Sequence, residues 1–234
     1  MGPMTLVLCD LLGRDGYRFS PYVWRTKMAL AHKGLAADFV GITLTDKSAL
    51  SSWTDYRKAP VLKHGDTIVC DSWHIAVYLE ENWPGAPALF PDRASLSFAR
   101  FLNGWVVSDL YPLLLPLIAR DVLDHVHPSD RARYRITREE RLGRTLEQAQ
   151  AQREPEAARF RSRLDSIREV VANSPFLCGD SPCYADYILF GLFQWARCTS
   201  AFPLLDHGDP LHTWRRQMLD LFEGLGRNAP GSPC

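Results

Sequence analysis

The sequence predicts an α/β domain at the N-terminus followed by an all-α domain. Three observations carry this. Up to about residue 82, strand-like and helix-like stretches alternate and include one tight hairpin. Pro84-Gly85-Ala86-Pro87 then interrupts the pattern, and Pro91 closes the interruption. From Arg93 onward there is no strand signal. The boundaries expected are 1–84 for the first domain, 93–223 for the second and 224–234 for a flexible tail rich in Gly, Asn and Pro.

Thr5 to Leu11 reads as a strand, followed by a Gly-containing loop. Ser20-Pro21 then opens a helix to about Lys33, with a hydroxyl residue at the cap, Pro at the first helical position and Gly34 as the stop. Asp38 to Leu44 alternates as a second strand, and 45–58 is polar and irregular. Ala59–Lys63 and Thr67–Cys70 flank His64-Gly65-Asp66 as a hairpin. Ser72 to Asn82 is a helix capped by Ser72. A βαβ unit followed by ββα gives a four-stranded mixed sheet, the thioredoxin-like layout. Helices are expected over 93–124, 130–172, 184–200 and 210–223. Residues 184–200 are apolar on every face, as in a buried central helix, with Asp186 in the first turn to meet free backbone N–H groups.

Composition narrows the function. Lys+Arg and Asp+Glu both number 27 in 234 residues, so no net charge drives the chain to nucleic acid or an anionic membrane. The arginine-rich stretch 130–165 interleaves acids and holds only two aromatics, Tyr134 and Phe160, as a solvated face does. No apolar run approaches the roughly 20 residues of a membrane span, and Pro112 and Pro116 are expected to break up Leu110–Ala119. The start of the chain shows no signal-peptide pattern. Cys9, Cys70, Cys178, Cys183, Cys198 and Cys234 form neither a CxxC pair nor zinc spacing. They read as buried free thiols, which fits a reducing compartment.

Three features line up in order: Phe19-Ser20-Pro21-Tyr22-Val23-Trp24-Arg25-Thr26-Lys27, then Lys58-Ala59-Pro60-Val61-Leu62 with Asp71-Ser72, then Gly179-Asp180 with Ala185-Asp186. Together they resemble the cytosolic glutathione S-transferases over nearly the whole chain. The resemblance implies the glutathione S-transferase fold, glutathione as co-substrate, no metal, a cytoplasmic setting and a homodimer. It implies that Ser20 activates the glutathione thiol, although the same residue also reads as a plain N-cap. An ordinary thiol has a pKa of about 8.5. Lowering it by two units takes about 2.7 kcal/mol of thiolate stabilisation, which a hydroxyl donor at a helix N-terminus can largely supply. Tyr17 is the alternative activator. Pro60 resembles the family's cis-proline, with Val61 offering main-chain bonds to the cysteinyl unit. Asp71 and Ser72 resemble the pair that holds the γ-glutamyl end. Lys58 reads equally as a partner of the glycyl carboxylate and as a solvated lysine. One position departs from the family pattern: Cys183 stands where a Ser or Thr cap is usual, so Ser181-Pro182 could start the helix earlier.

Ser20 in place of cysteine argues against disulfide chemistry at this position. The run from Ser20 to Lys27, with Asp71-Ser72-Trp73, looks most like the bacterial β-etherases of lignin breakdown and their fungal relatives. Their chemistry is thiolate attack on the carbon bearing an aryl ether, with loss of a phenolate. The partner implied is a small aromatic electrophile, held by Phe19, Tyr22, Trp105 and Tyr111; each of these is equally readable as core packing. The rival functions are broad detoxifying conjugation and non-enzymatic binding of aromatic compounds.

Overall fold

The computed structural model describes residues 5–233. The N-terminal domain contains β1 (Leu6–Leu11), α1 (Pro21–His32), β2 (Ala37–Ile42), β3 (Val61–His64), β4 (Thr67–Cys70) and α2 (Ser72–Asn82). The sheet order is β2-β1-β3-β4, with β1 parallel to β2 and β3 antiparallel to both β1 and β4. The two-residue period of a strand sorts its side chains. Leu6, Leu8 and Leu62 join Val23, Trp24, Met28, Ile75 and Leu79 of the helices. Cys9 and Val61 face the other way, into a small core with Ile42 and Leu50.

The second domain is helical: α3 (Arg93–Trp105), α4 (Tyr111–His125), α5 (Arg131–Leu142), α6 (Leu146–Ala151), α7 (Arg153–Ser162), α8 (Asp165–Asn173), α9 (Tyr184–Thr199) and α10 (Leu211–Gly224). In α9 every residue but Arg197 is buried. Asp186 is fully buried, and its carboxylate accepts three N–H groups: Leu177 at 3.0 Å, Cys183 at 3.0 Å and the Trp214 indole at 2.9 Å. Burial pushes this carboxyl's pKa up, and the three donors oppose that push.

Several sequence expectations change here. Pro112 and Pro116 do not break the apolar stretch. A π-helical turn, Val106–Leu110, joins α3 to α4, so Arg93–His125 is one 33-residue helix, long and apolar enough by length and composition to cross a membrane. Pro112 follows directly on the π-helical turn, where the i→i−4 ladder is already interrupted and a missing N–H costs less. Leu114–Ala119 are buried in protein, against α6, α7 and α9. The single helix expected over 130–172 is four. Gly143, at φ 66°, ends α5 in the left-handed region that glycine tolerates. The next helix starts on the Thr145–Gln148 capping box. Asp71, not Ser72, caps α2, its carboxylate accepting the Trp73 N–H at 2.8 Å. α9 starts after Cys183, not at Ser181-Pro182.

The thiols are not uniformly buried: Cys178 is exposed, and Cys234 lies outside the described residues. The tail is not loose either. Gln194 donates to the Gly226 carbonyl, Arg197 to those of Gly226, Arg227 and Ala229, and the Ser232 N–H returns a bond to Arg197.

The domains touch well away from the linker. Buried Asp130, in the 3-10 turn Pro128–Asp130, accepts from the Leu44 N–H at 2.6 Å, the Thr45 N–H at 3.0 Å and the Thr45 hydroxyl at 2.6 Å. The Tyr184 hydroxyl of α9 donates to the Ser72 carbonyl at 2.7 Å.

Candidate active site

The sheet register gathers three loops at one end. Cys9 of β1 lies opposite Val61, and Val61 lies opposite Cys70. The chain leaving β1 toward Ser20, the chain entering β3 at Ala59–Pro60 and the chain leaving β4 at Asp71 therefore meet at one rim. Electrostatics agrees: the pKa values of both Tyr22 and Arg25 respond to the charge of Asp71.

Ser20 is the N-cap of α1 and is 6% exposed. Its Oγ accepts a long bond from the Val23 N–H, 3.4 Å. That bond occupies a lone pair and leaves the O–H free to donate. Pro21 has no N–H and those of Val23 and Trp24 are bonded to Ser20, so the Tyr22 N–H is the first-turn donor left for an anion. The plain N-cap role and a donor role are thus compatible in one side chain.

Tyr22 stands two residues on, with the Arg25 guanidinium 4.7 Å above its ring. Burial pushes the Tyr22 hydroxyl up, and Arg25 draws it down. Arg25 itself is 2% exposed and donates to Asn103 Oδ1 of α3 at 2.7 Å. Its Nε has no hydrogen-bond partner among the described residues. Burial pushes its pKa down. A buried guanidinium held by a neutral amide leaves positive potential beside the rim.

The Ala59–Pro60 peptide is cis. Val61 has strand neighbours on both sides, Cys9 and Cys70, so its main chain belongs to the sheet. Ala59 lies just ahead of the ladder, outside the paired residues of β3. Asp71 has φ 74° and ψ 140°, a conformation costly for a non-glycine residue. Ser72 is buried at the first turn of α2. Lys58 is exposed on the approach to Ala59.

The expected aromatic residues separate. Phe19 is 4% exposed and packs into the main core. Trp105 is half-buried against the same core at the end of α3. Tyr111 stacks on Trp195 of α9, centroids 5.2 Å apart at 13°, with the Arg141 guanidinium 4.9 Å from its ring. Tyr111 lies close enough to Tyr22 to push that hydroxyl's pKa up. Tyr22, Tyr111 and Arg141 thus lie near one another beside the head of α1, with buried Trp195 behind Tyr111. Tyr17 stacks instead on His125, 4.9 Å away, and burial pushes its hydroxyl up, which keeps it a neutral donor. Sequence reasoning missed Arg25, Trp195 and Arg141. Trp195 gave no signal within an all-apolar helix, and Arg141 was hidden in a run of charges. Arg25 was legible as a cation on the buried face of α1.

Two family models match the chain: glutathione S-transferase, N-terminal domain, over residues 16–87, and glutathione S-transferase, C-terminal domain, over 97–202. The chain belongs to the glutathione S-transferase family. Among curated relatives, glutathione S-transferase U12 of Arabidopsis thaliana is 36% identical over 97 residues, 39% of this chain and 38% of its own length. A probable glutathione S-transferase of Oryza sativa subsp. japonica is 28% identical over 183 residues, covering 75% of this chain and 68% of its own. The Arabidopsis match thus spans about two fifths of that relative's length. Among solved structures, a glutathione transferase of Phanerochaete chrysosporium superposes with a TM-score of 0.79 at 24% identity, over 94% of this chain and 96% of that one. A glutathione S-transferase of Ceriporiopsis subvermispora in complex with glutathione gives 0.79 at 23%, over the same shares of each chain. At these identities the likeness is one of fold.

Proposed function

We propose that this glutathione S-transferase family member binds glutathione at the rim formed by Ser20, Ala59–Pro60 and Asp71–Ser72, and transfers its thiolate to an aromatic electrophile. The observation that carries this is Ser20 itself: a nearly buried hydroxyl at the head of α1 whose O–H is not consumed by its capping bond. A donor to an anion in such a place is worth about 1.5–3 kcal/mol, against the roughly 2.7 kcal/mol that two pKa units require. In this reading the Ala59 main chain pairs with the cysteinyl unit, Asp71 and Ser72 hold the γ-glutamyl end, and Lys58 faces the glycyl carboxylate. Half-buried Tyr22 and Tyr111 offer flat apolar surface for the acceptor, with buried Trp195 backing Tyr111.

The electrophile we propose is a β-aryl ether ketone. Thiolate attacks the ether-bearing carbon, the C–S bond forms as the C–O bond breaks, and the electron pair leaves on a phenolate. The adjacent carbonyl activates the carbon, and a leaving group with a pKa near 10 is tolerable. Positioning supplies the rest. The reading is supported by the sequence runs Ser20–Lys27 and Asp71–Trp73 and by Tyr22 and Tyr111 beside the head of α1. We place the activity in a cytoplasmic homodimer. The test is to incubate protein, glutathione and a racemic β-aryl ether ketone and to follow phenol by chromatography, with inversion at carbon and one enantiomer reacting faster. Thiolate absorbance without phenol, alongside good turnover of an aryl halide, would point to broad conjugation instead. Absence of both thiolate and turnover would leave a binding protein.

A further inference from the structure

The cysteine at the head of α9 has no part in the transfer chemistry, and it has a partner. Cys183 is 1% exposed, whereas Cys178 is exposed. Their sulfurs lie 2.6 Å apart. That is well inside non-bonded contact, which is about 3.5–4 Å even between carbons, and only about 0.6 Å longer than a covalent S–S bond. The approach is built in. Asp186 holds the backbone on both sides of the intervening turn, one oxygen on the Leu177 N–H and the other on the Cys183 N–H. Phe176 and Gly179 exchange two backbone bonds across the turn, and Gly179 takes φ 120°, a value natural to glycine. The two thiols are also unequal. The S–H of Cys183 donates to Cys178, which lowers the Cys178 pKa and raises that of Cys183. Cys9, by contrast, is pushed up to about 12, chiefly by burial.

We propose that Cys178 and Cys183 form a thiol–disulfide exchange site for small disulfides such as oxidised glutathione, with Cys178 as the attacking thiol and Cys183 as the resolving one. The Cys178 thiolate attacks one sulfur of the small disulfide, forming a mixed disulfide and expelling one glutathione thiolate. Cys183 passes its proton to that thiolate and attacks Cys178 Sγ. The Cys178–Cys183 bond forms and a second glutathione thiolate leaves. Two protein thiols lose two electrons, and one small disulfide gains them. The site needs neither Ser20 nor an electrophile, so it stands independently of the transferase reading.

The experiment treats the reduced full-length protein, Cys178→Ser and Cys183→Ser with excess oxidised glutathione, then alkylates remaining thiols and maps peptides by mass. Wild type should yield a cross-linked 178–183 peptide lighter by two hydrogens, with no glutathionyl group retained. Cys183→Ser should trap one glutathionyl group on Cys178. Cys178→Ser should lose modification at Cys183 by tenfold or more, because the remaining thiol is buried. Buried Cys9 reports in every sample that the fold is intact. Alkylation of both Cys178 and Cys183 in treated wild type, or a stable glutathionyl group on wild-type Cys178 without the cross-link, would overturn the proposal. So would an unmodified Cys178 in Cys183→Ser.

Discussion

Gly191 of α9 lies so close to Pro21 at the head of α1 that a Cβ at 191 would sit 2.4 Å from the Pro21 carbonyl oxygen and 3.0 Å from Arg25 Cγ. The central helix of one domain thus presses on the residue next to Ser20 in the other. Replacing glycine by alanine inside a helix is normally favourable by about 1 kcal/mol. Here the obstacle is a backbone atom, which cannot swing aside. Overpacking costs about 1–3 kcal/mol and should win. Gly191→Ala is expected to lower the urea midpoint and to reduce glutathione-dependent turnover by displacing Ser20. A stability equal to or above wild type would show that the two helices can part without cost.

Ser20→Ala should lower turnover at least tenfold while glutathione still binds. The lost interaction is a hydroxyl bond to an anion, worth about 1.5–3 kcal/mol. Steady-state rates with an aryl halide, paired with calorimetric glutathione binding, separate the two effects. Unchanged kcat/KM would transfer the role to Tyr17 or to the backbone N–H of Tyr22 at the head of α1.

Asp186→Ala should strip three buried N–H donors, on Leu177, Cys183 and Trp214, of their shared acceptor. Each unsatisfied donor costs about 1–3 kcal/mol, so a loss of about 3 kcal/mol or more is expected in urea unfolding. Asp180→Ala, exposed on the preceding turn, should change stability by less than about 0.5 kcal/mol. Similar losses for both would mean that Asp186 is an ordinary helix-start residue.

Acid should weaken the fold through two histidines. Burial is the main force lowering the pKa of both His32, bonded to the Tyr187 hydroxyl at 2.5 Å, and His125, stacked on Tyr17. A depressed folded pKa means the unfolded chain binds protons first. The stabilisation is therefore complete above the unfolded value of about 6.5 and fades as pH falls through and below it. Thermal melting should show Tm dropping from about pH 7 to about pH 5.5. The slope should flatten in the His32→Gln/His125→Gln variant, whatever its baseline stability. An identical slope would assign the acid loss to carboxylates.

The legible parts of the fold were those written in local chemistry. Ser20-Pro21 and Gly34 bracket α1 as read, and the hairpin at Gly65 and the buried character of 184–199 stand out from periodicity alone. Asp71, not Ser72, caps α2 because the backbone turns into positive φ at 71, a choice made by β4 and not by the dipeptide. The proline-crossed helix was misread because a π-helical turn interrupts the i→i−4 ladder just ahead of Pro112, a phase change with no residue signature. In the site, Ser20, Pro60 and Asp71 were visible as motif residues. Trp195 and Arg141 were not, because what brings them to the site is packing on Tyr111 from distant helices. The tail was taken as loose from its Gly and Pro content, yet those residues offer the carbonyls that the Arg197 guanidinium needs.

Two bodies joined by one flexible stretch keep their rotation about it, and a second pin removes most of that freedom. Here the stretch 83–92 is joined by several further ties: α9 packed on α1, the Tyr184–Ser72 bond, and Asp130 with its three bonds to Leu44 and Thr45. The segment it grips runs on to Ala59, so levering the helices outward drags the entrance of β3 along. The loop that ends at Ala59 is therefore tied to the helical domain at its start, as well as to the sheet at its end.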